Sequence, residues 1–227
     1  MTICCVYCYP LGGANGYFEY AIKFLHTFHQ YAAGIEHNWV VVSTETPTID
    51  ETRFLFGSLP GVTFLDSLTA GRDLAAFQLA AERVPCDAMM FFGSHAYFKR
   101  AGWLKRMVDV FNQYGCDNLY GCTGNAGDRG FNIWPHIRTT AFMASPSLMN
   151  AYPLRCQDNG LRYEMEHGEG SLTSWVIKQG KRAYVVAWDN VVLVSQADSI
   201  QDGFHHGNQA NVICGDRLTT RPYFDGE

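Results

Sequence analysis

The sequence has no apolar run approaching the roughly 20 residues that a membrane-crossing helix needs. Its first residues lack the basic segment that opens a secretory signal. Both absences lead to the expectation of a cytoplasmic protein without a membrane span. Charge is sparse as well. Lys and Arg number 17 against 22 Asp and Glu, for a net charge of −5, and no long basic run occurs. A broad phosphate-binding face of the kind that grips nucleic acid is therefore not advertised. The eight cysteines contain one close pair with ligand-like spacing, Cys5-x-x-Cys8, and no second pair to complete a zinc site. That pair falls inside a β-type run and does not open a helix as a redox motif would. The expectation is reduced, buried, structural thiols.

What is present is a chain of 227 residues, 47% hydrophobic, long enough to bury a substantial core. Its organising stretch is 86–112. Ala88-Met89-Met90-Phe91-Phe92 is too short for a helix and reads as a strand buried on both faces. Gly93-Ser94-His95 ends it. A helix follows, with Trp103, Leu104, Met107, Val108 and Phe111 at helical spacing. Upstream, strands are expected at 3–9, 39–43 and 62–66. Helices are expected between them, one with Phe18, Ala21, Ile22, Leu25 and Phe28 on its buried face, another opened by Gly71-Arg72-Asp73. Downstream come a strand at 119–122, a half-wet strand at 137–143, a short helix after Ser145-Pro146, a polar loop over 155–170, a helix from Ser171 to Gly180 and a strand at 183–187. This alternation implies a single-domain, three-layer α/β/α sandwich around a mostly parallel, Rossmann-like sheet. Residues 1–115 would form one half, 116–195 the other, and 196–227 a tail or lid.

In such sheets ligands bind beyond the carboxyl ends of the strands, which selects the candidate residues. Gly12-Gly13-x-Asn15-Gly16 lacks phosphate-loop spacing and reads as a turn. Arg72 and Asp73 either cap a helix or meet a nucleotide, guanidinium to phosphate and carboxylate to base or ribose. His95 sits just past the central strand, and His205 and His206 could close over it, imidazoles suiting a divalent metal. Glu164, Glu166, His167 and Glu169 form the densest acidic group, where one carboxylate could act as general base. His136 and Arg138 are further contact candidates.

Taken together, Gly71-Arg72-Asp73-Leu74, the apolar strand, Gly102-Trp103-Leu104, Glu166-His167-Gly168-Glu169 and Gln179-Gly180-Lys181-Arg182 resemble, in order and spacing, the nucleotide-sugar-dependent glycosyltransferases of the GT-A fold, family 2-like. The likeness runs over about residues 1–195. It implies hexosyl transfer from a nucleotide sugar such as a UDP-sugar to a saccharide, a lipid-linked sugar, a protein or a modified nucleic-acid base. It also implies inversion, with Glu166 or Glu169 as base. Arg72, Asp73, Gly93, Ser94, His95 and Arg138 would hold the donor. The family's acidic Asp-x-Asp motif, which carries Mn or Mg, is replaced here by Gly93-Ser94-His95. His95, with His205 and His206, then substitutes as metal ligand, or the diphosphate is neutralised without a tightly held cation, or the chain is a catalytically silent domain that binds a nucleotide sugar or carbohydrate or scaffolds a partner. A nucleotidyltransferase would need a carboxylate metal cluster that the sequence does not show.

Overall fold

Strand β1 (Ile3–Pro10) is buried along its whole length. Ile3, Cys5, Tyr7 and Tyr9 join one apolar layer, while Cys4, Val6 and Cys8 join the other, as a strand of period two between two helical layers requires. This computed structural model describes residues 1–10, 17–126, 134–199 and 210–216. After β1 come α1 (Tyr17–Gln30), β2 (Asn38–Thr44), α2 (Asp50–Phe56), β3 (Thr63–Ser67), α3 (Arg72–Arg83), β4 (Ala88–Phe92), β5 (Tyr97–Phe98) and α4 (Trp103–Tyr114). The second half adds β6 (Leu119–Gly121), β7 (Gly124–Asn125), β8 (His136–Ile137), β9 (Ala141–Ala144), α5 (Pro146–Ala151) and α6 (Asn159–His167). It ends in α7 (Leu172–Lys178), β10 (Ala183–Val186), β11 (Val191–Leu193), a 3-10 turn and β12 (Cys214–Gly215).

Eight strands form the main sheet in the order β11-β10-β6-β9-β4-β1-β2-β3. The pairs β3–β2, β2–β1, β1–β4 and β6–β10 are parallel, while β9 and β11 run antiparallel to their neighbours. Phe24 of α1, Phe56 of α2 and Trp103, Leu104 and Met107 of α4 cover one face. Leu74 and Phe77 of α3, Leu148 of α5 and Leu172 and Val176 of α7 cover the other. This is the expected three-layer sandwich around a mostly parallel sheet, and β4 lies in its centre with every residue fully buried. Trp103 stacks on Phe98 at 4.1 Å and donates its indole N–H to the Tyr31 carbonyl, so this large ring is buried without an orphaned donor. No described helix is long and apolar enough to cross a membrane.

Three local expectations are corrected. The half-wet strand at 137–143 is broken at Thr139–Thr140 into β8 and β9, and β9 is buried on both faces because it runs between β4 and β6. His136 on β8 is likewise buried. The polar stretch 155–170 contains α6. Its Asp158 cap accepts from the Leu161 N–H at 2.8 Å, and Met165 is its one buried residue, too little to register as periodicity. On α1 the buried stripe is Ala21, Phe24, Leu25 and Thr27, whereas Phe18 and Ile22 are exposed. Thr27 belongs there because its hydroxyl donates within the helix and accepts from the Phe98 N–H. In the stretch expected as a tail or lid, the described residues 210–216 are docked. β12 pairs with β5, Val212 bridges Ala187, and Ile213 and Cys214 are buried. The eight cysteines are free thiols, six of them buried, Cys86 half-buried and Cys116 exposed.

Candidate active site

At the carboxyl end of β1 and β4 the parallel strands stop together. A cavity of about 220 Å³ opens there, lined by residues from seven segments. α3 contributes Arg72 and Asp73, the β4–β5 connection Gly93, Ser94 and His95, and the β8–β9 connection Arg138, Thr139 and Thr140. α6 adds Arg162 and Glu166, and the residue after β12 adds Asp216. Cys8 and Pro10 of β1 and Tyr17 of α1 complete the wall. The volume is below the roughly 300–1,000 Å³ of sites that engulf a drug-sized ligand. It suits the reacting end of an extended ligand.

Each side chain is placed by its segment. The β4–β5 turn is fixed by Gly93 N–H to the Thr140 carbonyl (2.9 Å), Ala96 N–H to the Gly93 carbonyl (3.0 Å) and Tyr7 O–H to the Ser94 carbonyl (2.9 Å). His95 packs edge-on against Tyr20 at 4.3 Å and near Tyr17, and its Nδ1 lies 3.2 Å from Ser94 Oγ. Arg72 opens α3 with φ of 50°, and Glu45, past the end of β2, has φ of 72°. They are the two non-glycine residues of the described chain in the left-handed region, a conformation costing about 1–2 kcal/mol each. They face each other across 3.8 Å. Strain of this kind persists where surrounding structure holds it, and it clusters at binding sites.

Opposite lies the acidic part. Thr139 donates to Glu166 Oε1 at 3.0 Å. Asp73 accepts from the Leu74 N–H at 3.1 Å. Burial first, and then the neighbouring Glu166 charge, pushes the Asp73 carboxyl up to about 6, opposed by Arg162. Asp216 Oδ2 accepts from Arg138 Nη1 and from Thr140 Oγ1, both at 3.0 Å, in a nearly closed environment. Arg162 carries a buried Nε with no hydrogen-bond partner, an unmet donor in the cavity wall.

Arg72, Asp73, Gly93, Ser94, His95, Arg138 and Glu166, all expected at the site, do meet in this cavity. Glu169 does not line it. Its side chain is 66% exposed and paired with Lys178 at 3.4 Å. Glu164 turns back to accept the Gly170 N–H, and so shapes the α6–α7 connection. His205 and His206 lie outside the described residues, as does the glycine-rich turn at 12–16. Arg162, Thr139 and Asp216 were not foreseen. Among the described residues no three or more His, Cys, Asp or Glu side chains are grouped to hold a metal ion. With no such grouping, the described donor set does not fit a divalent cation.

The seam between α3 and the segment before α6 offers a direct test. A Cβ at Gly71 would land on the backbone carbonyl oxygen of Cys156. Gly71→Ala should therefore push apart the elements carrying Arg72, Asp73 and Glu166. The expected cost is about 1–3 kcal/mol, a fall in melting temperature of roughly 2–12 °C for a chain of this size. An unchanged melting curve would contradict this packing.

No protein-family model matches the chain, and comparison with curated proteins finds no match. Solved structures do match in fold. A mannosyltransferase from Pyrobaculum calidifontis, solved in complex with GDP-Man and Mn2+, superposes with a TM-score of 0.57 at 12% identity, over 81% of this chain and 54% of that one. A Bacillus anthracis protein described as a glucose-1-phosphate thymidylyltransferase, solved with sucrose, gives 0.54 at 12% identity, over 84% of its own length and 79% of this chain. The chain thus has the GT-A-like α/β fold found in glycosyltransferases and nucleotidyltransferases, and it spans about half of the mannosyltransferase.

Proposed function

We propose that this chain transfers a sugar from a nucleotide-sugar donor to an acceptor hydroxyl, with inversion at the anomeric carbon. The observation that carries the reading is the convergence of Arg72, His95, Arg138, Arg162 and Glu166 in one polar cavity at the carboxyl ends of parallel strands, where open α/β sheets take their ligands. The mannosyltransferase of the same fold was solved with a nucleotide sugar, which supports the substrate class. In this reading Arg72 and Arg162 meet the diphosphate, and the charge that grows on the leaving nucleoside diphosphate is stabilised by fixed guanidinium groups. Glu166, held by the Thr139 hydroxyl, takes the proton of the acceptor hydroxyl as that oxygen attacks the anomeric carbon. The bond to the diphosphate oxygen breaks on the opposite face of the sugar. In fold families of this type a bound divalent cation stabilises the same leaving charge. The described residues do not fit that ion, and no step here depends on it. Acceptors in keeping with the reading are a saccharide, a lipid-linked sugar, a protein or a modified nucleic-acid base.

The test is a panel of UDP-, GDP-, ADP- and dTDP-sugars, with melting temperature and nucleoside diphosphate release both measured. At least one donor should raise the melting temperature, since a ligand of the native state must stabilise it, and should release its diphosphate as water or an added acceptor saccharide takes the sugar. Stabilisation without release would favour a binding protein on this fold. Release of pyrophosphate from a nucleoside triphosphate and a sugar 1-phosphate would favour nucleotidyl transfer. No response to any donor would remove the proposal.

A further inference from the structure

Among its described residues the cavity is balanced in charge before any ligand enters. The described lining holds three arginines (Arg72, Arg138, Arg162) and three carboxyl groups (Asp73, Glu166, Asp216). A nucleotide sugar brings the negative charge of a diphosphate diester into this enclosure. Positive charge must arrive with it, or negative charge must leave, because an uncompensated anion in a poorly solvated site is costly. The described side chains offer no group fit for a metal ion, and Arg138 is already tied to Asp216 at 3.0 Å. Arg72 and Arg162 remain more loosely engaged. The first has only a 3.8 Å approach to Glu45, and the second has a buried Nε with no hydrogen-bond partner.

We infer that the pocket takes its diphosphate-bearing ligand together with one proton from solvent, received by the Asp73 carboxylate, and without a divalent cation. This deepens the nucleotide-sugar reading above and rests on it. Asp73 is the suitable acceptor because of where it lies. It shares the cavity wall with Glu166 and Arg162 of α6, with Cys8 of β1 and with Thr139, follows Arg72 on its own helix, and has Cys156 behind it. Protonation removes one of two adjacent carboxylate charges and frees Arg162, the counter-charge to Asp73, for the phosphate oxygens. The carboxyl group is also primed for this. Burial and Glu166 already raise its proton affinity, so that it titrates at about 6 in the free protein, and a bound diphosphate raises it further.

The sign of the linkage follows. The ligand-bound form holds the proton more tightly than the free form. The gain in affinity is complete below the free-state value of about 6 and is lost as pH rises through the higher bound-state value. Between the two, affinity falls by up to about tenfold per pH unit. Titration calorimetry of the whole chain with the UDP-, GDP-, ADP- and dTDP-hexose panel reads this directly, because the diphosphate diesters do not themselves titrate near neutrality. Measured at pH 7 in two buffers of different ionisation enthalpy, binding should take up close to one proton. Affinity should drop roughly 10- to 30-fold from pH 6 to pH 8. EDTA or Mn2+ should change it less than about twofold, as no cation enters the linkage. Asp73→Asn, which keeps the acceptor for the Leu74 N–H, should abolish the uptake and hold affinity near its pH 6 level. Zero uptake, proton release or a strict need for Mn2+ would overturn the inference while leaving the substrate class standing. Uptake that survives Asp73→Asn would move the proton to His95 and overturn it too. If the variant does not fold, the wild-type proton count and the effect of EDTA still decide. Binding of no member of the panel would instead sink the reading beneath it.

Discussion

Glu166→Gln should lower sugar transfer by roughly 10²- to 10⁴-fold, the range lost when a general base is removed, without weakening donor binding, since the charge it removes repels the diphosphate. The substitution keeps shape and keeps an oxygen to accept from Thr139 Oγ1, now at 3.0 Å. The fold should therefore be undisturbed, and the melting temperature should move little. A fall in kcat with a donor Kd no higher than wild type is the signature of a group that acts on the acceptor proton rather than on binding. Glu169→Gln is the matched control. That side chain is solvent-exposed and shares a surface ion pair with Lys178, an interaction worth at most about 1 kcal/mol. Its rate should stay within about twofold of wild type. A loss confined to Glu169→Gln would reverse the assignment of the base.

The second large effect belongs to Asp216. Its carboxylate joins Arg138 and Thr140, and both charged side chains of the pair are mostly buried. Asp216→Ala removes the carboxylate paired with the Arg138 guanidinium, and breaking a buried pair from one side typically costs about 3–5 kcal/mol. Contacts of Arg138 beyond this pair favour the lower end, about 3 kcal/mol, or roughly 6–12 °C in melting temperature. The β8–β9 connection also carries Thr139, the hydroxyl that holds Glu166, so transfer should fall along with stability. Replacing both partners with apolar residues, Arg138→Met with Asp216→Leu, should recover most of the stability but not the activity. Asp216→Ala melting within a degree or two of wild type would show that the tail does not brace this site.

The difference between these two residues shows what could be read from the chain. β4 announced itself because five consecutive apolar residues bounded by polar ones admit few other readings, and all five are indeed buried. The residues just past it, and Arg72 and Asp73 at the start of α3, were legible because a parallel sheet presents its ligands at one edge. Glu166 and Glu169 could not be told apart, since the choice depends on α6. That helix buries one residue, Met165, and so leaves almost no periodic trace. Arg162 was hidden in the same polar stretch. Asp216 is separated from Arg138 by 78 positions, and no local pattern reports a pairing made through β12 and β5. The left-handed Arg72 and Glu45 were equally invisible, because neither residue type signals that backbone.

The central claim, that this cavity holds the diphosphate of a nucleotide sugar, is tested most directly by a crystal structure of the chain with the best-binding member of the donor panel. The account places the two phosphorus atoms beyond the carboxyl end of β4, within hydrogen-bonding reach of Arg72 and Arg162, with the sugar's anomeric carbon turned toward Glu166. A donor seated elsewhere on the molecule, or one in this cavity with its phosphates away from both arginines, would contradict it.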